Sequence, residues 1–188
     1  LRFSPEQVEM HRKDLYKVQK TYADLVRSRP DTLFILRYHP ASFDFEFHEF
    51  FGIENEPNVF ISKLNEGEDY SVSDLISVSD IWIAYQSTTT IEAWLMNKPT
   101  LLVNPTRDDF VREEGYLGSA IYKTSDELKS AVEEFYRDGE IRRFNDQIDH
   151  REKAISDTIG WSDGSNFVRA AEFIYDIFKS DIKRENTI

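Results

Sequence analysis

Apolar residues recur along this chain in two periods, and their alternation lays out the elements. Val8, Leu15, Val18, Tyr22 and Leu25 fall at helical spacing behind Ser4-Pro5-Glu6. That start has a capping Ser, Pro at the first helical position and an acid in the first turn. The pattern predicts an amphipathic helix over 4–28, broken by Arg29-Pro30-Asp31. Thr32 to Leu36 then reads as a short strand, and Asn58 to Ser62 as a second. A short helix is expected over 71–78, a strand over 81–85, a helix over 91–96, and strands over 100–103 and 119–122. Asn97-Lys98-Pro99 stops the third helix. Thr124-Ser125-Asp126-Glu127 has the form of a capping box and opens a helix to Tyr136, ended by Asp138-Gly139. A charged helix over 141–156 and a closing helix over 166–178 follow, joined by a turn over 159–165.

Two stretches are less regular. Residues 43–51, Phe-Asp-Phe-Glu-Phe-His-Glu-Phe-Phe, read as a helix or loop covering the sheet, or as a surface for an acceptor or partner. Residues 106–118 form a polar, charged loop in which Arg107 and Arg112 lie among acids. Strands separated throughout by helices predict α/β: a doubly wound, Rossmann-like parallel sheet with helices on both faces. The expectation is one domain over 1–188, with helix 4–28, sheet core 32–122 and C-terminal helices 124–180.

Composition narrows the function classes. A chain of 188 residues, 40% apolar and 14% aromatic, is long enough to bury a sizeable core. No apolar run approaches the roughly 20 residues of a membrane span, and the charged N-terminal stretch reads without a secretory signal. Zero cysteines exclude disulfides and thiolate metal sites and fit a reducing, cytoplasmic setting. A net charge of −12 argues against nucleic-acid binding and leaves any phosphate site dependent on local donors. His48 lies among carboxylates, but no second His stands at ligand spacing, so no metal is expected. The chain opens on Leu1-Arg2-Phe3 without an initiator Met, which suggests a domain of something longer.

The chemistry concentrates between 81 and 105. A strand over 81–85 runs into Gln86-Ser87-Thr88-Thr89-Thr90, and Glu92 follows in the first turn of the next helix. A helix N-terminus presents backbone N–H groups and the positive end of the dipole. Hydroxyls of Ser87, Thr88, Thr89 and Thr90 add donors, and together these suit a phosphate or diphosphate. Glu92 can accept from two vicinal hydroxyls, such as those of a ribose. Ligands of open α/β sheets bind at the carboxyl ends of strands, where this turn falls. The alternative is that the hydroxyls cap the helix and Glu92 favours its dipole. Arg37 and His39 end an earlier strand one strand period apart, placed to meet an anion, with Pro40 stiffening their turn.

Leu36-Arg37-Tyr38-His39-Pro40, Asp74-Leu75-Ile76 with Ser79-Asp80, Gln86 to Ala93, and Asn97-Lys98-Pro99 together resemble the C-terminal half of GT-B glycosyltransferases. The likeness is to bacterial capsule and surface-polysaccharide enzymes, including CDP-glycerol glycerophosphotransferases. Trp161, Asp163-Gly164-Ser165 and Arg169 resemble the closing segment of surface-carbohydrate proteins, so the likeness spans 32–178. It implies a nucleotide-activated sugar or polyol donor, with no cofactor and no metal. His39 would touch the donor's nucleotide or phosphate, Ser87, Thr88 and Thr89 its diphosphate, and Glu92 its ribose. Arg37, with His39, would act at the leaving group as an electrostatic stabiliser. The resemblance also implies an N-terminal acceptor domain that this chain lacks, and peripheral membrane association of the parent protein. The turn departs from the family in having no glycine-rich phosphate loop. Two other functions fit the same residues: an NDP-sugar 2-epimerase-like domain, and a non-catalytic α/β domain using 43–51 for partners.

Overall fold

The computed structural model describes residues 4–37, 52–62, 70–85, 87–104 and 118–185. The expectations placed on His39, His48, the 43–51 stretch, Arg107 and Arg112 lie outside these. Helix α1 (Pro5–Ser28) leads into β1 (Phe34–Arg37), a 3-10 turn (Ile53–Asn55) and β2 (Val59–Ser62). Next come α2 (Val72–Val78), β3 (Trp82–Ala84), α3 (Thr89–Leu95), β4 (Thr100–Val103) and β5 (Ala120–Tyr122). Helices α4 (Ser125–Asp138), α5 (Arg142–Asn145), α6 (Ile148–Ile159) and α7 (Asn166–Glu185) close the chain. The protein is mixed α/β. Its strands form a β1-β2 sheet and a β3-β4-β5 sheet, and every pairing is parallel.

Strand β4 is the centre of burial. Thr100, Leu101, Leu102 and Val103 are all fully buried, as a strand covered on both faces requires. Leu101 and Val103 join Val18 and Leu25 of α1, Leu128, Ala131 and Val132 of α4, and Ile141 and Phe144 beyond it. Truncating a residue such as Leu101 to Ala removes apolar burial and leaves a cavity, at a cost of about 2–5 kcal/mol. Helix α1 also buries Ala23 and Val26 against Ile53 in a smaller cluster, and Phe34 packs against both clusters. The two sheets therefore share an apolar interior.

Polar groups beside β4 and at the end of α1 are paired. The Trp94 indole N–H donates to Thr100 Oγ1 (2.6 Å), and Thr100 Oγ1 meets Ser119 Oγ at 2.7 Å. The Asn58 amide donates to the carbonyls of Val26 (3.3 Å), Arg29 (3.0 Å) and Thr32 (3.2 Å). It thus satisfies the orphan end of α1 and its turn together. Asn97 adopts the left-handed conformation (φ 55°) after α3, and Lys98 N–H reaches back to the Ala93 carbonyl at 2.9 Å.

The main differences from the sequence reading lie in three helical segments. Helix α3 starts at Thr89, not Ile91, so Thr89 and Thr90 are helical. The segment expected as one helix over 141–156 is two, α5 and α6, with Asp146 and Gln147 between. Helix α7 continues to Glu185 because its apolar repeat and charged flank do not stop at Phe178.

Candidate functional site

The turn at the carboxyl end of β3 is built from both sides. Trp82, the first residue of β3, donates its indole N–H to Thr89 Oγ1 at 3.1 Å. Ser87 Oγ and Thr89 Oγ1 are 2.8 Å apart, and Thr89 N–H donates to Ser87 Oγ at 3.3 Å. An indole N–H can only donate, so Thr89 Oγ1 is an acceptor in this chain of contacts. The two hydroxyls carry two protons, and their mutual bond consumes one. One hydroxyl proton is therefore left to point away from the pair, toward water or a ligand. Thr88 stands in the cap position, exposed, with no side-chain capping bond.

Two expected donors are not available. Thr90 is fully buried and its Oγ1 has no hydrogen-bond partner, so its hydroxyl faces the interior and not the turn. The first-turn N–H groups are also engaged. Thr90 N–H bonds the Ser87 carbonyl (3.2 Å) and Ile91 N–H the Thr88 carbonyl (3.0 Å). The turn tightens on itself, so an anion here meets hydroxyls more than backbone.

Glu92 lies one turn in and is half-buried. Its Oε2 accepts from Ser73 Oγ on α2 at 3.3 Å. Helix α2 packs against α3 and is tied to it again where Lys98 Nζ donates to the Ser77 carbonyl at 2.9 Å. The start of α2 is fixed by a capping box: Asp74 N–H donates to Ser71 Oγ, and Ser71 N–H donates to the Asp74 carboxylate. Donation to that carboxylate from the Ser71 hydroxyl (2.7 Å), and then from Ser71 N–H, holds the Asp74 carboxyl below the usual carboxylate range.

Arg37 ends β1 opposite Ser62 of β2, and its Nη1 donates to Ser62 Oγ at 2.6 Å. Ser62 is fully buried, so this bond anchors the guanidinium at the carboxyl end of the β1-β2 sheet. No hydrogen bond or ion pair joins Arg37 to Ser87, Thr88, Thr89 or Glu92 among the described residues. Ser87, Thr89 and Trp82 form one cluster, Glu92 and Ser73 a second beside it on α3, and Arg37 belongs to another sheet. Neither Trp82 nor Ser73 was a sequence expectation. Their partners are reached across the fold, and only a polar tip on a strand or helix start hinted at them.

The closing segment is also ordered by its own residues. Arg169 grips Asp163 with both guanidinium nitrogens (2.9 and 2.5 Å) and stacks over the Trp161 ring at 4.5 Å. The Arg169 bonds, with Ser165 N–H, hold the Asp163 carboxyl far below its ordinary range. A cavity of about 430 Å³ lies away from the β3 turn, over Tyr122, Asp126, Glu127, Ser130, Ala131, Glu134 and Arg143. Burial pushes the Tyr122 phenol up to about 12. Among the described residues no group of three His, Asp or Glu side chains is placed to hold a metal ion, and no helix is long and apolar enough to cross a membrane. No protein-family model, curated protein or solved structure matches the chain.

Proposed function

We propose that this chain is the donor-binding domain of a glycosyltransferase or related transferase of surface-polysaccharide biosynthesis. In this reading the two parallel sheets are parts of a doubly wound, Rossmann-like arrangement of the kind found in half of a GT-B enzyme. The donor is a nucleotide-activated sugar or polyol. Its diphosphate lies at the β3–α3 turn, against Ser87, Thr88 and Thr89, and its ribose hydroxyls donate to the Glu92 carboxylate. Arg37 and His39 offset charge on the departing nucleotide, while an N-terminal domain brings the acceptor and the base.

The observation that carries this reading is that the hydroxyls of the turn keep donor capacity over, although Ser87 Oγ accepts from the first N–H of α3. Thr88 holds the cap position and makes no cap bond, and the Ser87–Thr89 pair keeps one proton over. A carboxylate, Glu92, stands alongside them on the same helix. Donors for an anion and an acceptor for a diol thus lie within one turn of each other. That pairing suits a nucleoside diphosphate better than an inorganic anion.

A thermal-shift screen against CMP, CDP, UDP, GDP and their sugars tests it. A ligand at about 100 times its dissociation constant adds about 2.7 kcal/mol to stability. In a domain of this size that raises Tm by roughly 5–10 °C. A second reading, a non-catalytic domain that assembles with another protein, has in its support the exposed Phe167, Phe173, Ile174 and Tyr175 of α7. It expects no shift with any nucleotide.

A further inference from the structure

Several hydroxyls on or just past the helices of this chain turn back on their own backbone. Thr21 donates to the Lys17 carbonyl (2.9 Å), and Ser28 to that of Leu25 (2.7 Å). Ser77 and Ser79 donate to the carbonyls of Asp74 and Leu75, each at 2.7 Å. This local bond is the usual fate of a helical Ser or Thr. Ser73 breaks the habit and donates sideways, to Glu92 on the neighbouring helix. The reason is positional. Ser73 is the second residue of α2, so no helical carbonyl lies one turn behind it.

The hydroxyl is also held in place. Leu75 and Ile76 anchor α2 in the interior, the Ser71–Asp74 box fixes its start, and Lys98 fixes its end. Among the described residues the Glu92 carboxylate has no other hydrogen-bond or ion-pair partner. A free Glu side chain samples several rotamers, and ordering it on binding costs affinity. With Oε2 engaged by Ser73, the carboxylate has fewer rotamers to sample and Oε1 keeps both lone pairs for a ligand.

We propose that Ser73 is a positioning residue: it orients Glu92 for two vicinal hydroxyls, so α2 belongs to the donor site without touching the donor. The proposal rests on the donor-binding reading above. It gives the site a preference for ribonucleotides over 2′-deoxyribonucleotides that depends on a hydroxyl on another helix.

Calorimetric titration of UDP and CDP, each against its 2′-deoxy counterpart, tests this with wild type, Ser73→Ala, Ser73→Thr and Glu92→Ala. Ser73→Ala is expected to weaken the ribonucleotide by about threefold to tenfold, the scale of one hydrogen bond to a charged group. It leaves the 2′-deoxy ligand and Tm unchanged, and Ser73→Thr restores the ribose preference. A Ser73→Ala protein that keeps the wild-type ratio, while Glu92→Ala abolishes it, overturns the role of Ser73 and leaves the donor reading standing. A wild type that binds none of the four ligands, or binds them without ribose preference, overturns the donor reading and this inference with it.

Discussion

Helices α3 and α4 begin with nearly the same chemistry and use it in opposite ways. Each follows a parallel strand, with Thr in the cap position and Glu in the opening turn. At α4 the groups close on one another. Glu127 N–H donates to Thr124 Oγ1 (3.2 Å), and the N–H groups of Thr124 (3.1 Å) and Lys123 (2.9 Å) donate to Glu127 Oε2. At α3 the Thr88 hydroxyl caps nothing, and Glu92 turns to another helix. Backbone and spacing both separate them. Thr124 is extended (φ −122°, ψ 157°), as a capping residue must be, and Glu127 three residues on reaches back to it. Thr88 is already helical (φ −64°, ψ −18°), so its hydroxyl is turned from the first N–H groups, and Glu92, four residues on, does not close a box.

Four sets of measurements would break or sharpen that contrast. The largest effect is expected from Gly118→Ala, which disturbs the floor of α3 and not its turn. A methyl there would stand 2.4 Å from Arg151 Cγ and 2.9 Å from two ring carbons of Trp94, a buried α3 residue. The expected loss is about 2 kcal/mol, the scale of overpacking a dense core, read as a fall in denaturant midpoint. Next, Ser87→Ala and Glu92→Ala should each weaken nucleoside diphosphate binding at least about tenfold, or 1.4 kcal/mol, with Tm retained. Unfolding of either variant would make those residues structural and return α3 to the same class as α4.

Third, Thr124→Ala should cost about 1 kcal/mol of stability and no affinity, because that hydroxyl is a true cap. Thr88→Ala should do the reverse, costing only a few tenths of a kcal/mol, the usual range of a surface change, while weakening phosphate binding. The smallest effect is a pH dependence. The Lys123 N–H bond, then that from Thr124 and the nearby Arg143, hold the Glu127 carboxyl below its ordinary range, against a smaller opposing effect of burial. A carboxyl depressed on folding adds stability above its unfolded pKa and loses it as pH falls through the folded one. Wild type should therefore lose stability relative to Glu127→Gln as pH drops below about 4. Parallel acid curves for the two proteins would remove Glu127 from the cap.

The contrast also marks what could be read from the chain. Apolar runs such as Thr100 to Val103 announce buried strands, and Thr124 with Glu127 announces its own cap, because those signals are local. The start of α3 was misplaced by two residues since Thr-Thr-Thr suits a turn and a first helical turn alike. Burial of Thr90 follows from that shift, and no periodicity in so short a helix reveals it. Asn58 looks like the first residue of a strand, yet its amide bridges carbonyls 26 to 32 residues earlier. Ser73 and Trp82 matter only through partners that the fold delivers. The candidate residues were therefore legible as a list of types at a strand end. Its wiring was not.

The most direct measurement of the central claim is a calorimetric titration of CDP and UDP into wild type, Ser87→Ala and Thr124→Ala. The account predicts saturable binding to wild type and to Thr124→Ala, and its loss in a folded Ser87→Ala. Equal affinity in all three proteins, or none in wild type, would contradict it.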